Sequence, residues 1–300
     1  MGELAAFLVA ICWAMTSIFF GIAGREVGSA VVNRMRLLFA TVLLSIMHFI
    51  LVGSIYPLQA EPDRFLWLGL SGLIGLVLGD AFLFQAFVQV GARISTLIMA
   101  SVPVISALIA WLFLGENLSP LDITGIFITV AGIALVIYED HNSSKVIEPK
   151  DRSAYIQGVL FAFLGAFGQA VGLVLQKKGG GGGFPSISSV LIRVSLGAVM
   201  MWLIALFQRK AKPTLQESFT NKTGLKFILL GTFVGPFAGI WLSMVAVQSA
   251  YVGIASTLMA LTPIVMLPIS YFIFKEKISP RALLGTFISM IGVAIIFLFT

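Results

Sequence analysis

The sequence predicts an all-α integral membrane protein in which ten transmembrane helices form two inverted five-helix repeats. Three observations support this fold class. Of the 300 residues, 59% are hydrophobic and only 11% are charged, and a soluble domain of this length does not keep so much apolar surface from water. The apolar residues form continuous runs of roughly 20, the length with which a helix crosses a bilayer. The second half of the chain also repeats residues of the first.

The ten predicted spans are bounded by charged residues, glycine and proline. Because the apolar runs are continuous and do not alternate with polar residues, they predict helices and not the strands of a membrane barrel. The spans are predicted at residues 3–23, 29–53, 65–90, 93–114, 120–138, 154–176, 184–208, 224–248, 253–274 and 280–299. The polar connections at 139–153 and 208–226 are too short for a soluble catalytic domain, and the five-glycine run at 179–183 is predicted to be a flexible connection.

A shift of 160 residues superposes the two halves of the chain. The matched residues include proline, glutamate and glycine, which are not ordinary apolar filler. They pair Pro103 with Pro263, Glu116 with Glu276, Ser119 with Ser279, Gly125 with Gly285 and Gly132 with Gly292. We predict a first repeat at 1–138, a connecting loop at 139–153 and a second repeat at 154–300. Since each repeat holds five spans, an odd number, the second copy enters the membrane upside down relative to the first.

The repeated turn, "GENLSP" at 115–120 and "KEKISP" at 275–280, has a local explanation. Ser119 and Ser279 are suited to cap a helix whose first residue is the proline that follows, because proline lacks the amide that would be unpaired there. Glu116 and Glu276 lie just outside, and we expect them to shape the turn at headgroup depth.

The pattern P(x12)E(x2)SP(x4)G(x6)G, which closes each half, resembles that of the EamA-type members of the drug/metabolite transporter superfamily. The stretch "NRMRLLFA" at 33–40 in the second span also resembles this family. The resemblance covers essentially the whole chain. It implies a small-molecule carrier, commonly an exporter of amino acids or other metabolites, with a central cavity between its halves. We expect such a carrier in the inner membrane of a bacterium.

Charged residues inside the spans are the first candidates for substrate chemistry, because a charge at bilayer depth is costly unless it is paired or hydrated. Asp80 alone among the 13 acidic residues lies deep within a predicted span. It is about 15 Å of helix from the span end, and Arg36 is about 10 Å from the same membrane side. Similar depths predict an Arg36–Asp80 pair, either a structural ion pair or a proton-sensitive, substrate-facing carboxylate.

Arg193 in the seventh span is the predicted inverted-repeat counterpart of Arg36. The spans of the second half offer it no acidic residue. Arg193 is therefore a candidate to bind a carboxylate or phosphate on the substrate, and the alternatives are snorkelling or helix-to-helix hydrogen bonding.

The remaining candidates are uncharged. Polar and amphipathic side chains that are suited to line a cavity, or to bond between helices, are Trp13, Thr16, Ser17, Gln169, Gln176 and Thr262. Pro103 and Pro263 lie near the middle of spans four and nine, where proline removes a helical hydrogen bond and bends the helix. We predict hinges there, since carriers place such bends at the midplane.

The sequence thus predicts a secondary carrier, not an enzyme, that requires no cofactor and binds no nucleic acid. Its expected partners are a small-molecule substrate and the lipid bilayer, with H+ as a candidate coupling ion, and the carrier is expected to act as a monomer or homodimer. One alternative is a magnesium or cation permease, a function that would need several acidic residues at the midplane. A membrane-embedded enzyme acting on lipid-linked substrates is another, and it needs a cluster of His, Asp or Glu near one interface. Charge distribution places both termini outside, whereas the resemblance implies cytoplasmic termini.

Overall fold

The structure, a computed structural model, describes residues 2–114, 119–143, 149–249, 258–273, 275 and 278–298. Every regular element within these ranges is a helix. Eight helices in the described part of the chain are long and apolar enough to cross a membrane, and Thr262–Phe272 and Pro280–Ile296 are shorter apolar helices. The chain is therefore a multi-pass integral membrane protein of the all-helical class that the sequence predicts.

In the described part of the chain, six helices precede the polar connection. Helix α1 spans Gly2–Val27, α2 spans Ser29–Val52 and α3 spans Pro62–Gln89. The predicted span at 93–114 is divided into α4, Gly91–Met99, and α5, Val102–Leu114. Helix α6 spans Pro120–Ser143. The division between α4 and α5 falls just before Pro103.

Six more helices follow within the described residues. They are α7 at Pro149–Gly180, α8 at Ser186–Phe207, α9 at Ala211–Thr220, α10 at 222–249, α11 at Thr262–Phe272 and α12 at Pro280–Leu298. Helix α9, which lies inside the polar connection 208–226, was not predicted from the sequence. The prediction of a flexible glycine run is wrong for its first two residues, because α7 continues through Gly180. Arg64 holds this end of α7 by donating hydrogen bonds to the carbonyl oxygens of Gly179 and Gly181, at 3.2 and 2.8 Å.

The middle of α3 and the middle of α10 are π-helical. The two segments are Gly72–Gly79 and Phe233–Gly239, and the 160-residue shift superposes them. Short π-helical segments interrupt the regular hydrogen bonding of a helix and are frequent at functional sites. The periodicity of the sequence did not predict them.

The predicted connecting loop at 139–153 is helical at both ends, because α6 continues to Ser143 and α7 begins at Pro149. The helices before this connection pack in pairs against those after it. Helix α1 packs on α10, α3 on α7, α2 on α8, α4 on α11, and α6 on α12. A buried apolar cluster that includes Leu37, Leu76 and Leu191 joins α2, α3 and α8. Each half of the chain thus buries its helices mainly against the other half.

The predicted helix caps are confirmed. The hydroxyl of Ser119 accepts a hydrogen bond from the amide of Asp122, whose carboxylate accepts one in return from the amide of Ser119, at 3.1 and 2.8 Å. The hydroxyl of Ser279 accepts a hydrogen bond from the amide of Ala282 at 3.0 Å. Such bonds satisfy amides that a helix start leaves free. Glu116 and Glu276, also part of the repeated turn, lie outside the described residues.

Candidate functional site

Arg36 and Asp80 form the ion pair that their depths predict. Arg36 lies on α2, and Asp80 is the first residue after the π-helical segment of α3. Their side chains are 9% and 5% exposed, and an Arg36 guanidinium nitrogen contacts the Asp80 carboxylate. Pairing offsets the cost of placing either charge within the membrane.

Asn33 fixes the position of Arg36 relative to α3. Its amide oxygen accepts a hydrogen bond from Arg36 Nε at 3.2 Å. Its amide nitrogen donates to the carbonyl oxygens of Leu76 and Val77 in the π-helical segment, at 3.1 and 3.4 Å. Helix α2 is therefore tied to the irregular part of α3 immediately before Asp80.

Two aromatic rings cover the guanidinium of Arg36. Its central carbon lies 4.8 Å from the ring centroid of Phe84 on α3 and 5.9 Å from that of Phe20 on α1. Aromatic faces attract a cation, and more strongly where water is excluded. The Arg36 side chain is thus held on one side by a carboxylate and on the others by an amide and two rings.

Gln169 on α7 links the ion pair to the second half of the chain. Its amide nitrogen donates to the Asp80 carboxylate and, at 3.3 Å, to the carbonyl oxygen of Gly75. Its amide oxygen accepts a hydrogen bond from Arg193 at 3.3 Å. The side-chain amide of Gln169 therefore connects the negatively charged Asp80 to the positively charged Arg193.

Arg193 on α8 completes the arrangement. The residue is 8% exposed, and its guanidinium also donates to the amide oxygen of Gln176. Its Nε is buried without a hydrogen-bond partner. A Cβ atom at Gly75 would lie 2.6 Å from the Arg193 guanidinium, and one at Gly172 would lie 3.2 Å from it. Glycine at these two positions leaves the space that the guanidinium occupies.

We call this set of side chains the charge network. It consists of Asn33, Arg36, Asp80, Gln169, Gln176 and Arg193. Five of the residues predicted from sequence, Arg36, Asp80, Gln169, Gln176 and Arg193, are brought together in it. Sequence reasoning missed Asn33, although its position three residues before Arg36 on a predicted helix places both on one face.

The remaining predicted site residues lie elsewhere. On α1, the hydroxyl of Thr16 donates to the carbonyl oxygen of Cys12 at 2.7 Å and that of Ser17 to the carbonyl oxygen of Trp13 at 2.9 Å. Thr16 also packs against Gly235 in the π-helical segment of α10. Trp13 is 38% exposed. Thr16 and Trp13 lie at the α1–α10 contact, and none of the three residues makes a hydrogen bond to the charge network within the described residues.

The two prolines lie where helical segments begin. The amides of Ala100 and Ser101 bond only three residues back, to Leu97 and Ile98, immediately before Pro103. Pro263 lies at the start of α11. There the hydroxyl of Thr262 donates to the carbonyl oxygen of Met259 at 3.1 Å. Helical hydrogen bonding is thus interrupted at equivalent places in the two halves.

A cavity of about 490 Å³ lies between α6 and α7. Its lining is almost wholly apolar and consists of Ser101, Val130, Ile133, Ala134, Ile137, Tyr138, Tyr155, Ile156, Val159, Leu160 and Phe163. None of the predicted site residues is part of this lining. Within the described ranges, no three His, Cys, Asp or Glu side chains are grouped as ligands of a metal ion.

Comparison with known proteins assigns the family. A model described as the EamA-like transporter family matches residues 1–138 and 156–298. The chain belongs to the EamA-like transporter family. This EamA-like chain is accordingly a membrane transporter of the drug/metabolite transporter superfamily, as the repeated pattern predicted.

Among the solved structures that are similar to the EamA-like chain is a crystal structure that covers nearly its whole length. The TM-score is 0.63 at 16% sequence identity, and the similarity covers 99% of this chain and 96% of the other. At that identity the similarity establishes the fold. No curated protein matches the sequence.

Proposed function

We propose that the protein is a secondary active transporter that exports small metabolites, namely amino acids or related polar or amphipathic solutes, across a bacterial inner membrane. The observation that carries the proposal is the charge network, which buries two arginines and one aspartate among helices from both family-matched segments. Buried charges at such depth are expensive, and in membrane proteins they mark substrate and ion pathways. A single chain supplies this site, whether it acts as a monomer or within a homodimer.

The proposed architecture is ten spans in two inverted repeats. It is supported by the helix pairs, because the contact of α1 with α10 has its counterpart in that of α7 with α3. The π-helical segments and the helix starts at the two prolines also recur at the same 160-residue shift. Inverted repeats of this kind suit alternating access, in which one half rocks against the other about a site near the midplane.

The elements that would permit rocking are the interrupted helices. Missing or shifted helical bonds lie next to Pro103, at Pro263 and in the two π-helical segments. Hinges form where a few residues absorb changes in backbone angle. In this proposal the charge network lies beside one of these hinges, since Asp80 directly follows the segment Gly72–Gly79.

We further propose that H+ drives transport through Asp80. The charged groups that face its carboxylate are Arg36 from α2 and Arg193 from α8, and Gln169 from α7 donates to it. Protonation of Asp80 removes the charge that both arginines share, so the network has to rearrange. Such a rearrangement couples a proton to the motion of the helices.

The test is transport by purified protein in liposomes with an imposed pH gradient, using radiolabelled glutamate, glutamine, leucine and lysine as probes. The wild type is expected to accumulate at least one of them. Asp80→Asn, which keeps the shape of the side chain, is expected to reduce gradient-driven accumulation at least tenfold. The control is Glu61→Gln, which removes a carboxylate that is 74% exposed and pairs with Arg64 outside the charge network.

Each result decides a different part of the proposal. Asp80→Asn protein with an unchanged response to the pH gradient rejects coupling through Asp80. Wild-type protein that moves none of the four amino acids, and none of a second set of sugars and nucleosides, rejects the transport function. Circular dichroism of each variant checks that the helices are retained.

A further inference from the structure

The charge network is not electrically balanced. It holds the positive charges of Arg36 and Arg193 and the single negative charge of Asp80, all buried. Asp80 contacts Arg36 directly and reaches Arg193 only through the amide of Gln169. One positive charge within the network therefore has no matching negative charge.

The excess charge is located at Arg193. Amide oxygens of Gln169 and Gln176, which are neutral, accept its described hydrogen bonds, whereas Arg36 has a carboxylate. Arg193 Nε is buried without a partner. A guanidinium with a free N–H and neutral acceptors is suited to exchange those acceptors for an anion, since an anionic oxygen adds the attraction of opposite charges and can accept two parallel bonds from the guanidinium.

From this imbalance we propose that the substrate carries a net negative charge, and that its carboxylate or phosphate group binds Arg193 in place of a glutamine amide. This inference deepens the proposed function and rests on it. A net anion brings the charge of the network to zero, whereas a zwitterion leaves the excess positive charge unchanged. The site therefore selects acidic members of the solute class over neutral and zwitterionic ones.

The surroundings of Arg193 favour small anionic groups. The backbones of Gly75 and Gly172 pack closely against the guanidinium, so an anion that reaches Arg193 has to take the place of a glutamine side chain. Gln169 and Gln176 reach Arg193 with flexible side chains from α7. An anion that displaces the Gln169 oxygen also alters the bond between Gln169 and Asp80, which connects substrate binding to the ion pair.

The experiment measures binding to purified full-length protein in detergent at constant ionic strength, by calorimetry and by thermal unfolding. The probes are matched sets: glutamate with glutamine, then glycerate and glycerol 3-phosphate with glycerol. We expect at least one anion to bind at least tenfold more tightly than its matched partner. The comparison of glycerate with glycerol 3-phosphate distinguishes a carboxylate from a phosphate site.

Variants assign the preference to Arg193. Arg193→Gln is expected to lose at least tenfold in anion affinity, and Arg193→Lys to retain part of it. The matched control is Arg34→Gln. Arg34 is an arginine on α2 with a similar exposed fraction, 7% against 8%, and its Nε also has no partner, but it bonds Thr214 on α9 and not the charge network. Its replacement is expected to leave anion affinity unchanged.

A second variant tests the charge balance independently of folding defects at Arg193. Asp80→Asn removes the negative charge and leaves both arginines without a counter-charge, so anion affinity is expected to rise severalfold. A merely structural role of Asp80 would lower it. The inference is overturned if no probe shows an anion preference in the wild type, if Arg34→Gln loses affinity as much as Arg193→Gln, or if Asp80→Asn weakens binding.

These outcomes are separable from failure of the proposed function. Anion binding at Arg193 without transport in liposomes contradicts the transport function and leaves the anion site standing. Transport that is indifferent to the net charge of the solute contradicts the anion site and leaves the transport function standing.

Discussion

At the scale of single residues, glycine decides how closely the two halves approach. Gly75 makes room for the Arg193 guanidinium, and its counterpart at the 160-residue shift, Gly235, makes room for Thr16. The side chains that pack against these two glycines, Arg193 and Thr16, differ in how freely they can move. An arginine end moves by rotation about several bonds, whereas the β-branched side chain of Thr16 has a restricted χ1 angle.

This difference yields a prediction for Gly235→Ala. The added Cβ would lie 2.6 Å from the hydroxyl oxygen of Thr16 and 2.8 Å from its methyl carbon. We expect the variant to be destabilised by about 1–3 kcal/mol, the usual range for overpacking. The double variant Thr16→Ala with Gly235→Ala should recover most of that loss, because the two shortest contacts are removed and only the Cβ of residue 16 remains, at 3.2 Å. Thermal unfolding of the purified proteins gives the comparison.

A double variant that is no more stable than Gly235→Ala alone would mean that the α1–α10 contact does not depend on this pair. Thr16→Ala alone serves as the control, and its own effect should be small. Its hydroxyl bonds only the backbone of its own helix among the described contacts, at Cys12.

Five residues of the charge network, all but Asn33, were identifiable from sequence, and the reasons are physical. Arg36, Asp80 and Arg193 are charges inside apolar runs, and a membrane tolerates such charges only where they are paired or used. Gln169 was selected as a polar side chain in a span. Their connection through one glutamine amide was not identifiable, because it depends on how α7 packs against α3 and α8. The residue pattern of a single helix does not indicate how that helix packs against its neighbours.

At the scale of elements, the sequence located the spans but not their internal irregularities. Apolar runs indicate which residues of a helix lie in the bilayer. The predicted span at 184–208, for example, corresponds closely to α8, Ser186–Phe207. The π-helical segments have no such signal, since a change in hydrogen-bond register leaves the apolar character of Gly72–Gly79 unaltered. Helix α9 was missed because its residues are polar and its hydrophobic side chains are few.

Helices α6 and α12 approach through glycines that face each other across the pair. A Cβ at Gly132 would lie 2.6 Å from the carbonyl oxygen of Gly285, and one at Gly285 would lie 2.9 Å from that of Gly132. The same holds for Gly125 and Gly292, at 2.8 and 2.6 Å. Small residues let membrane helices pack backbone to backbone, which replaces the hydrophobic drive that is absent in lipid.

Gly132→Leu should therefore separate α6 from α12. The backbone atoms that meet the new side chain cannot rotate away, so we expect a loss of stability above about 3 kcal/mol, beyond ordinary overpacking. The matched control is Ala131→Leu, one residue earlier on the exposed face of α6, which should change stability little. Both variants are compared by thermal unfolding in detergent and by yield from membranes. Equal behaviour of the two would show that this glycine contact contributes nothing.

At the scale of the whole molecule, contacts between helix ends are consistent with a chain that crosses the membrane at every span. Arg64, at the start of α3, bonds Gly181 after α7, and His48 near the end of α2 lies 2.9 Å from Ser188 at the start of α8. In a ten-span alternation these ends lie on one side of the membrane. The amide of Asn221 donates to the Glu26 carboxylate at 3.1 Å, and both residues then lie on the other side.

Inverted repeats make a specific prediction about sidedness. The connection between α2 and α3 and the one between α8 and α10 occupy equivalent places in the two repeats. They lie on opposite sides of the membrane if the repeats are inverted, and on the same side if the repeats are parallel. Leu58, which is 80% exposed, and the exposed Lys212 represent the two connections.

Single cysteines at these positions test the arrangement in a chain whose own thiol, Cys12, is replaced by serine. With Leu58→Cys and Lys212→Cys, a membrane-impermeant thiol reagent applied to intact cells is expected to label one variant and not the other. Both should be labelled after permeabilisation, which controls for reactivity. The labelled member also fixes the orientation of the termini, since Leu58 lies on the same side as the N-terminus after two crossings. Labelling of both variants from the same side would exclude inversion, and with it the rocking of antiparallel halves about the charge network.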